Sequence, residues 1–173
     1  MKKLAISLIT MGIASFGFAQ NPHPSFDLSK FRDFVTIGSN YEYLTDVQNG
    51  LTPNQVKYLE DLVSYWDVTQ IEGFDARKGK PFSATFKLER GHIVACYDRD
   101  GKIVSAMERF SNFAMPKSVS ITILEEYPNW KIIKNRYSVW YNLGDRTKRI
   151  FKVQLRKGHQ KKWIKVDSSG RLS

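Results

Sequence analysis

Apolar and polar residues alternate along the chain with two different periods, and these periods predict helices and strands. A period of three to four residues over residues 56–66 predicts a helix with one apolar face. Thr52-Pro53-Asn54-Gln55 precedes it, and we expect Thr52 to be the N-cap of a capping box with Pro53 in the first turn. A two-residue period follows and predicts strands at residues 82–88, 93–97 and 102–109.

The same order of elements recurs in the second half of the chain. Met115-Pro116 opens a second helical pattern, Pro128 ends it, and strands are expected at residues 130–141, 150–156 and 163–167. Residues 84–92 align with residues 151–159 without a gap, and after a short slip residues 95–103 align with residues 164–172. We therefore predict an α+β fold of two related helix-plus-antiparallel-sheet units, able to join into one continuous sheet.

The first 19 residues have the composition of a cleavable signal peptide. Met1-Lys2-Lys3 is positively charged, residues 4–16 are apolar, and Gly17 and Ala19 place small residues at a cleavage site before Gln20. The apolar run is shorter than the ~20 residues that a membrane-spanning helix needs. We expect cleavage after Ala19, a periplasmic or secreted product, and no membrane span in the mature chain.

The predicted mature chain divides into three segments. An N-terminal leader at residues 20–50 has no sustained period, and the two helix-plus-sheet units follow at residues 51–110 and 111–173. Cys96 is the only cysteine, so no internal disulfide can form, and its apolar surroundings predict a buried and unreactive thiol.

Positive charge is concentrated in the second unit. Residues 20–109 contain 11 Lys and Arg against 13 Asp and Glu, whereas residues 110–173 contain 14 against 4. Alternation along residues 150–156 predicts a sheet with one apolar and one basic face. The candidate binding residues on the basic face are Lys152, Arg156, Lys162, Lys165, Trp140 and Trp163. Strict alternation from Trp163 would place Lys165 opposite Lys162, and a face kept charged only for solubility is an open alternative.

No motif points to catalysis or to a bound metal. Asp98-Arg99-Asp100-Gly101 begins like a calcium loop, but the position that requires Glu is occupied by Arg109. His92 and His159 each follow the Gly of a hairpin turn without a second ligand at a recognisable spacing. Neither a nucleophile elbow nor a Gly-rich phosphate loop is present. We expect a protein that is not an enzyme and has no cofactor.

Two hairpins and one helix start carry a family resemblance. Residues 97–103 have the order aromatic-Asp-x-x-Gly-Lys-aliphatic, and residues 166–172 repeat the hairpin with Val166 at the aromatic position and Arg171 at the Lys position. Together with the helix that Met115-Pro116 opens, they resemble PepSY-like, β-lactamase-inhibitor-like exported proteins of Bacteroidetes, over roughly residues 50–173. The family usually has Leu-Pro at the helix start, and residues 20–50 have no counterpart in it. The resemblance implies helices on antiparallel sheets in two related halves, export, and no catalytic residues.

These observations together predict a non-catalytic binding module of the bacterial envelope. The basic aromatic face would bind an anionic partner protein, with inhibition of a peptidase or a related protein as an analogy from the fold. The alternative is an accessory protein that binds envelope polyanions, such as lipopolysaccharide, anionic lipid or acidic glycan, by charge. Nucleic acid is not expected as a partner outside the cytoplasm.

Overall fold

The computed structural model describes residues 25–27, 40–75, 81–167 and 169–172. The predicted signal peptide, its cleavage site and most of the leader lie outside these residues. The α-helices are α1 (Tyr41–Val47), α2 (Asn54–Tyr65) and α3 (Lys117–Glu126). The strands are β1 (Ser25–Asp27), β2 (Phe82–Leu88), β3 (Gly91–Tyr97), β4 (Ile103–Ser111), β5 (Lys131–Asn142), β6 (Lys148–Lys157) and β7 (Gln160–Asp167).

The seven strands form one sheet in chain order. Strand β1 pairs parallel to β2, and every later neighbour pairs antiparallel. The predicted α+β class is confirmed, and each predicted strand and helix is present with ends that shift by a few residues. The chain passes from the first to the second half through α3, and β4 and β5 then pair directly. The sheet is therefore continuous across the boundary at residue 110.

Alternation along the strands gives the sheet an inner face, on the same side as the helices, and an outer face on the opposite side. Phe86, Ile93, Val139 and Phe151 on the inner face are fully buried. They belong to one apolar cluster that contains residues of all three helices and of both halves of the sheet. On the outer face the strand residues are exposed or half-buried, with the exception of Ser138.

Helix α2 begins in a way that the sequence analysis did not predict. It starts at Asn54, and the extended residue Pro53 is the N-cap, whose carbonyl accepts the N–H of Lys57 at 3.0 Å. Thr52 does not cap the helix, because its hydroxyl oxygen accepts the backbone N–H of Asn49 at 2.9 Å. The predicted capping box is therefore wrong, because the preceding loop engages the Thr52 hydroxyl.

Helix α1 lies within the segment that we predicted to be a leader, and hydrogen bonds between side chains and backbone join both of its ends to the sheet. The side chain of Asn40 accepts the N–H of Ile103 at 2.6 Å and donates to the carbonyl of Gly101 at 3.3 Å. Arg149 Nε donates to the carbonyl of Val47 at 2.8 Å. Residues 40–50 are thus part of the packed fold, and α1 buries Tyr43 against the sheet.

Two hairpin turns, one in each half, share the same hydrogen bonds. Asp98 Oδ1 and Asp167 Oδ1 each accept the backbone N–H groups two and four residues further along the chain. Gly101 has φ 77° and Gly170 has φ 81°, a conformation that glycine adopts without strain. Both segments are therefore hairpin turns with glycine at positive φ.

Candidate functional site

The outer face of the sheet carries a large set of exposed cations. Its Lys and Arg residues on strands β2 to β7 are Lys87, Arg109, Lys131, Lys134, Arg136, Lys148, Lys152, Arg156, Lys161 and Lys165. Asp167 is the one carboxylate on the same face of these strands, and its oxygens accept hydrogen bonds from its own turn. Within the described residues none of these cations has a carboxylate oxygen within 4.0 Å.

Several of these cations lie directly opposite one another across the strands. Arg136 on β5 faces Lys152 on β6, and Lys152 also faces Lys165 on β7. Like charges in such positions destabilise a sheet, since directly opposed side chains are only ~5 Å apart at Cβ. This row therefore reduces stability in the free protein, and an anion bound over it would remove the repulsion.

The structure brings together five of the six predicted binding residues. Lys152, Arg156, Lys165, Trp140 and Trp163 lie on the outer face, where alternation from Trp163 also places Lys165. That face spans strands from both halves of the chain and is not confined to the second unit.

Lys162 does not lie on the outer face, and our prediction for it is wrong. Strand β7 begins at Gln160, and Lys162 therefore pairs with Leu155 on the inner side of the sheet. Its Nζ lies 4.5 Å from the ring centroid of Tyr127, at the end of α3, and donates to the Tyr127 hydroxyl at 3.3 Å. Lys162 thus covers the margin of the core.

The two predicted tryptophans project from the outer face among lysines. Trp140 is 37% exposed and Trp163 is 45% exposed. Lys148 Nζ lies 5.8 Å from the ring centroid of Trp140, and Lys152 Nζ lies 5.3 Å from that of Trp163. These contacts orient the rings by cation–π attraction and leave apolar ring surface open to a ligand.

A hollow of about 710 Å³ lies at the β2–β3 end of the outer face. Four cationic side chains and one carboxylate line it together with His92; these are Lys87, Arg90, Arg109, Arg136 and Glu89. Burial lowers the pKa of His92, and the charges of Arg109 and Lys87 lower it further. These effects favour the neutral form of His92, and the two flanking cations make the position suited to an anion and unfavourable for a metal cation.

The structure shows the surroundings of the metal and thiol candidates from the sequence. No group of three or more His, Cys, Asp or Glu is placed to hold a metal ion in that part of the protein. Cys96 is half-buried, contrary to the predicted full burial, because its side chain lies on the outer face. Its sulfur lies 3.1 Å from the hydroxyl oxygen of Ser83, which faces it across the strands.

A second constellation, which the sequence analysis missed, lies inside the core. Glu60 on α2 and Glu108 on β4 are both fully buried. Tyr43 Oη donates to Glu108 Oε1 at 2.7 Å, and the carboxyls of Glu60 and Glu108 interact electrostatically. Neither Glu60 oxygen nor Glu108 Oε2 meets an N–H or O–H donor among the described residues.

The electrostatics of this carboxyl pair favour one shared proton. Burial raises the pKa of Glu60, and the charge of Glu108 raises it further. Burial also raises the pKa of Glu108, while hydrogen bonds from Glu60 and Tyr43 and the charge of Arg149 oppose that shift. A protonated Glu60 supplies the donor that Glu108 lacks, because two adjacent buried carboxylates cannot both ionise.

A sequence signal for this pair exists in the apolar pattern itself. Glu60 falls at helical spacing between Val56 and Val63, and Glu108 falls in the alternation between Ala106 and Phe110. An acidic residue at a core position marks a buried carboxyl that needs a proton or a partner. Since both side chains are 0% exposed, a substrate has no path to them in this arrangement.

Comparison with known proteins returns no match for this chain among protein-family models, curated proteins or solved structures. The resemblance to PepSY-like and β-lactamase-inhibitor-like proteins thus stays a prediction. In the described part of the chain no helix is long and apolar enough to span a bilayer.

Proposed function

We propose that this chain is an exported, non-catalytic binding module whose outer sheet face binds an anionic partner. The observation that carries the proposal is the row of Arg136, Lys152 and Lys165, which lie opposite one another and have no described ion pair. A face whose only role was solubility would not require cations in directly opposed positions. An anionic ligand converts this repulsion into attraction.

The architecture leaves this face free to bind without disturbing the fold. The apolar cluster lies on the inner face and includes both halves of the chain. Trp140 and Trp163 add exposed apolar area among the cations, a combination that suits a ligand with both charge and apolar surface.

We also propose that the two halves are related by duplication, in line with the family resemblance. The matching hydrogen bonds of the Asp98 and Asp167 turns support this relation, as does the burial of Ala84 and Phe86 at the positions that align with the buried Phe151 and Val153. Export rests on the N-terminal 19 residues. Inhibition of a peptidase would be one form of this function, with an acidic protein surface as the anionic partner.

Charge reversal on the outer face tests the proposal. The variant Lys152→Glu/Lys165→Glu is compared with Lys117→Glu/Lys162→Glu, which changes net charge equally at positions outside the outer face. Retention is measured on immobilised polygalacturonate, polyglutamate and vesicles that contain phosphatidylglycerol. Wild type should bind at least one of these probes, and binding should fall as the screening length shortens from ~10 Å at 0.1 M salt to ~3 Å at 1 M.

The matched pair of variants separates a binding face from net charge. The outer-face variant should lose retention, and the control variant should keep most of it. Equal loss in both variants, or no retention of wild type on any anionic probe, would show that the charges do not form a binding face.

A further inference from the structure

One basic residue on each of strands β2 to β7 contributes to a belt that crosses the outer face of the sheet. In order from β2 to β7 these are Lys87, His92, Arg109, Arg136, Lys152 and Lys165. We call this set the basic belt. It includes a residue of every strand from β2 to β7 and joins the two halves of the chain.

The register shows that the belt has a single break in its line. Lys87, His92 and Arg109 lie directly opposite one another, and so do Arg136, Lys152 and Lys165. Arg109 faces Ser138, which is two residues from Arg136 along β5, so one diagonal step connects the two runs. With strands ~4.8 Å apart, the belt extends over roughly 24 Å.

We propose that the basic belt binds a linear acidic polysaccharide, a polyuronate laid across the strands. This inference rests on the proposed function and names the partner of the same face. The strand separation of ~4.8 Å is close to the length of one sugar ring in an extended polyuronate, which carries one carboxylate on each sugar. Successive carboxylates can therefore meet successive strands.

The tryptophans flank the belt in positions that suit sugar rings. Trp140 lies two residues beyond Ser138 on β5, on one side of the belt. Trp163 lies two residues from Lys165 on β7, on the other side. An exposed indole presents a flat apolar face to the C–H groups of a sugar ring, as aromatic side chains do at other amphipathic contacts. Acidic peptides and lipid headgroups offer no such ring.

His92 reports on ligand binding at the start of the belt. It lies between Lys87 and Arg109 in the free protein, where burial lowers its pKa and the charges of Arg109 and Lys87 lower it further. A carboxylate bound beside it would offset those charges and favour the imidazolium, so ligand binding should raise the pKa of His92. The direction of this change distinguishes a carboxylate at the belt from one bound elsewhere on the face.

An anionic bilayer is the main competing partner, and it makes a different demand on the surface. A flat layer of headgroups would contact cations outside the belt, such as Lys134 and Lys161, as well as belt residues. A single polymer chain would depend on the belt alone. Belt and off-belt cations on one face therefore provide a matched test.

The experiment measures binding of galacturonate oligomers, from the disaccharide to the octasaccharide, by calorimetry and by quenching of tryptophan fluorescence. Affinity should rise with oligomer length and level off at about six sugars, when the oligomer spans the belt. Arg109→Gln/Arg136→Gln should weaken binding of the longest oligomer roughly tenfold or more, since each removes a charged contact. Lys134→Gln/Lys161→Gln has the same change in charge on the same face and should bind within about twofold of wild type.

The outcomes separate this inference from the proposed function. Binding of polyglutamate, vesicles or single-stranded DNA through the outer face, without binding of the oligomers, would overturn the polysaccharide assignment and leave the proposed function in place. Equal affinity for short and long oligomers, or equal losses of affinity in the two double variants, would contradict binding along the basic belt. An NMR titration should show the His92 pKa rising when the octasaccharide is present, and an unchanged value would contradict a carboxylate at that position. Circular dichroism confirms that each variant is folded.

Discussion

Replacing Glu60 by Gln should stabilise the protein at neutral pH and leave its stability almost unchanged at acid pH. In the native state Glu60 is buried beside Glu108, and burial favours its protonated form. In the unfolded chain the same carboxyl ionises with an ordinary pKa of about 4.3. Folding at neutral pH therefore requires uptake of a proton, whereas the glutamine of the variant needs none and can donate its amide N–H to Glu108.

The sign and size of the effect follow from proton linkage. The native pKa of Glu60 is raised, so the native state binds more protons than the unfolded state at every pH between the two values. Stability from this group is complete below the unfolded pKa and is lost as pH rises towards the native pKa. The loss is ~1.4 kcal/mol for each pH unit, and from pH 4.5 to pH 7 it reaches about 3 kcal/mol for a single proton.

Urea denaturation of wild type and Glu60→Gln from pH 4.5 to pH 7.5 measures this difference. The gap in unfolding free energy should open with rising pH, and a gap of about 3 kcal/mol at pH 7 corresponds to roughly 6–12 °C in Tm for a chain of this size. Glu125→Gln is the matched control, because Glu125 is an exposed glutamate on α3. Parallel pH profiles for wild type and Glu60→Gln would refute the reasoning, since they would mean that Glu60 does not retain its proton.

Two further predictions concern packing and export. Gly91→Ala should destabilise the protein by about 1–3 kcal/mol in the same urea assay, because the added Cβ would lie 2.2 Å from Cδ1 of the buried Phe110. Gly50→Ala is its control, as a Cβ there meets no atom within 4 Å, and similar losses in both variants would contradict a steric cause. Intact-mass measurement of the protein from its native host should show a chain that begins at Gln20. A soluble cytoplasmic product that retains Met1 would contradict export.

The strands could be predicted from the sequence because their apolar and polar residues alternate strongly. Helix α1 could not be predicted, because it is short. Residues 82–88 alternate in sequence and pair along their full length with β3. Helix α1 has seven residues, of which Tyr43 and Val47 are buried, and so it has too few apolar positions to show a period. Its ends depend on contacts with Ile103 and Arg149, distant in sequence, which no local pattern reveals.

The candidate site was predictable only where alternation was read from the correct starting residue. Lys152 and Arg156 were placed correctly because β6 alternates without interruption. The face of Lys162 depends on where β7 begins, and the apolar residues that mark the register of that strand occur only from Trp163 onward. Arg109 was missed because it joins the basic face through the pairing of β4 with β5, a contact between the two halves, whereas Arg136 joins it through the pairing of β5 with β6.

The two unusual electrostatic features lie on opposite faces of the sheet, and they differ in how the fold neutralises them. On the inner face the buried carboxyl pair is neutralised internally, by a proton and by the nearby charge of Arg149. On the outer face the opposed cations Arg136, Lys152 and Lys165 have no such internal partner in the described chain. Their repulsion lowers the stability of the free protein. A bound polyanion would remove that repulsion. The same charges that destabilise the free sheet would therefore strengthen the complex at the outer face.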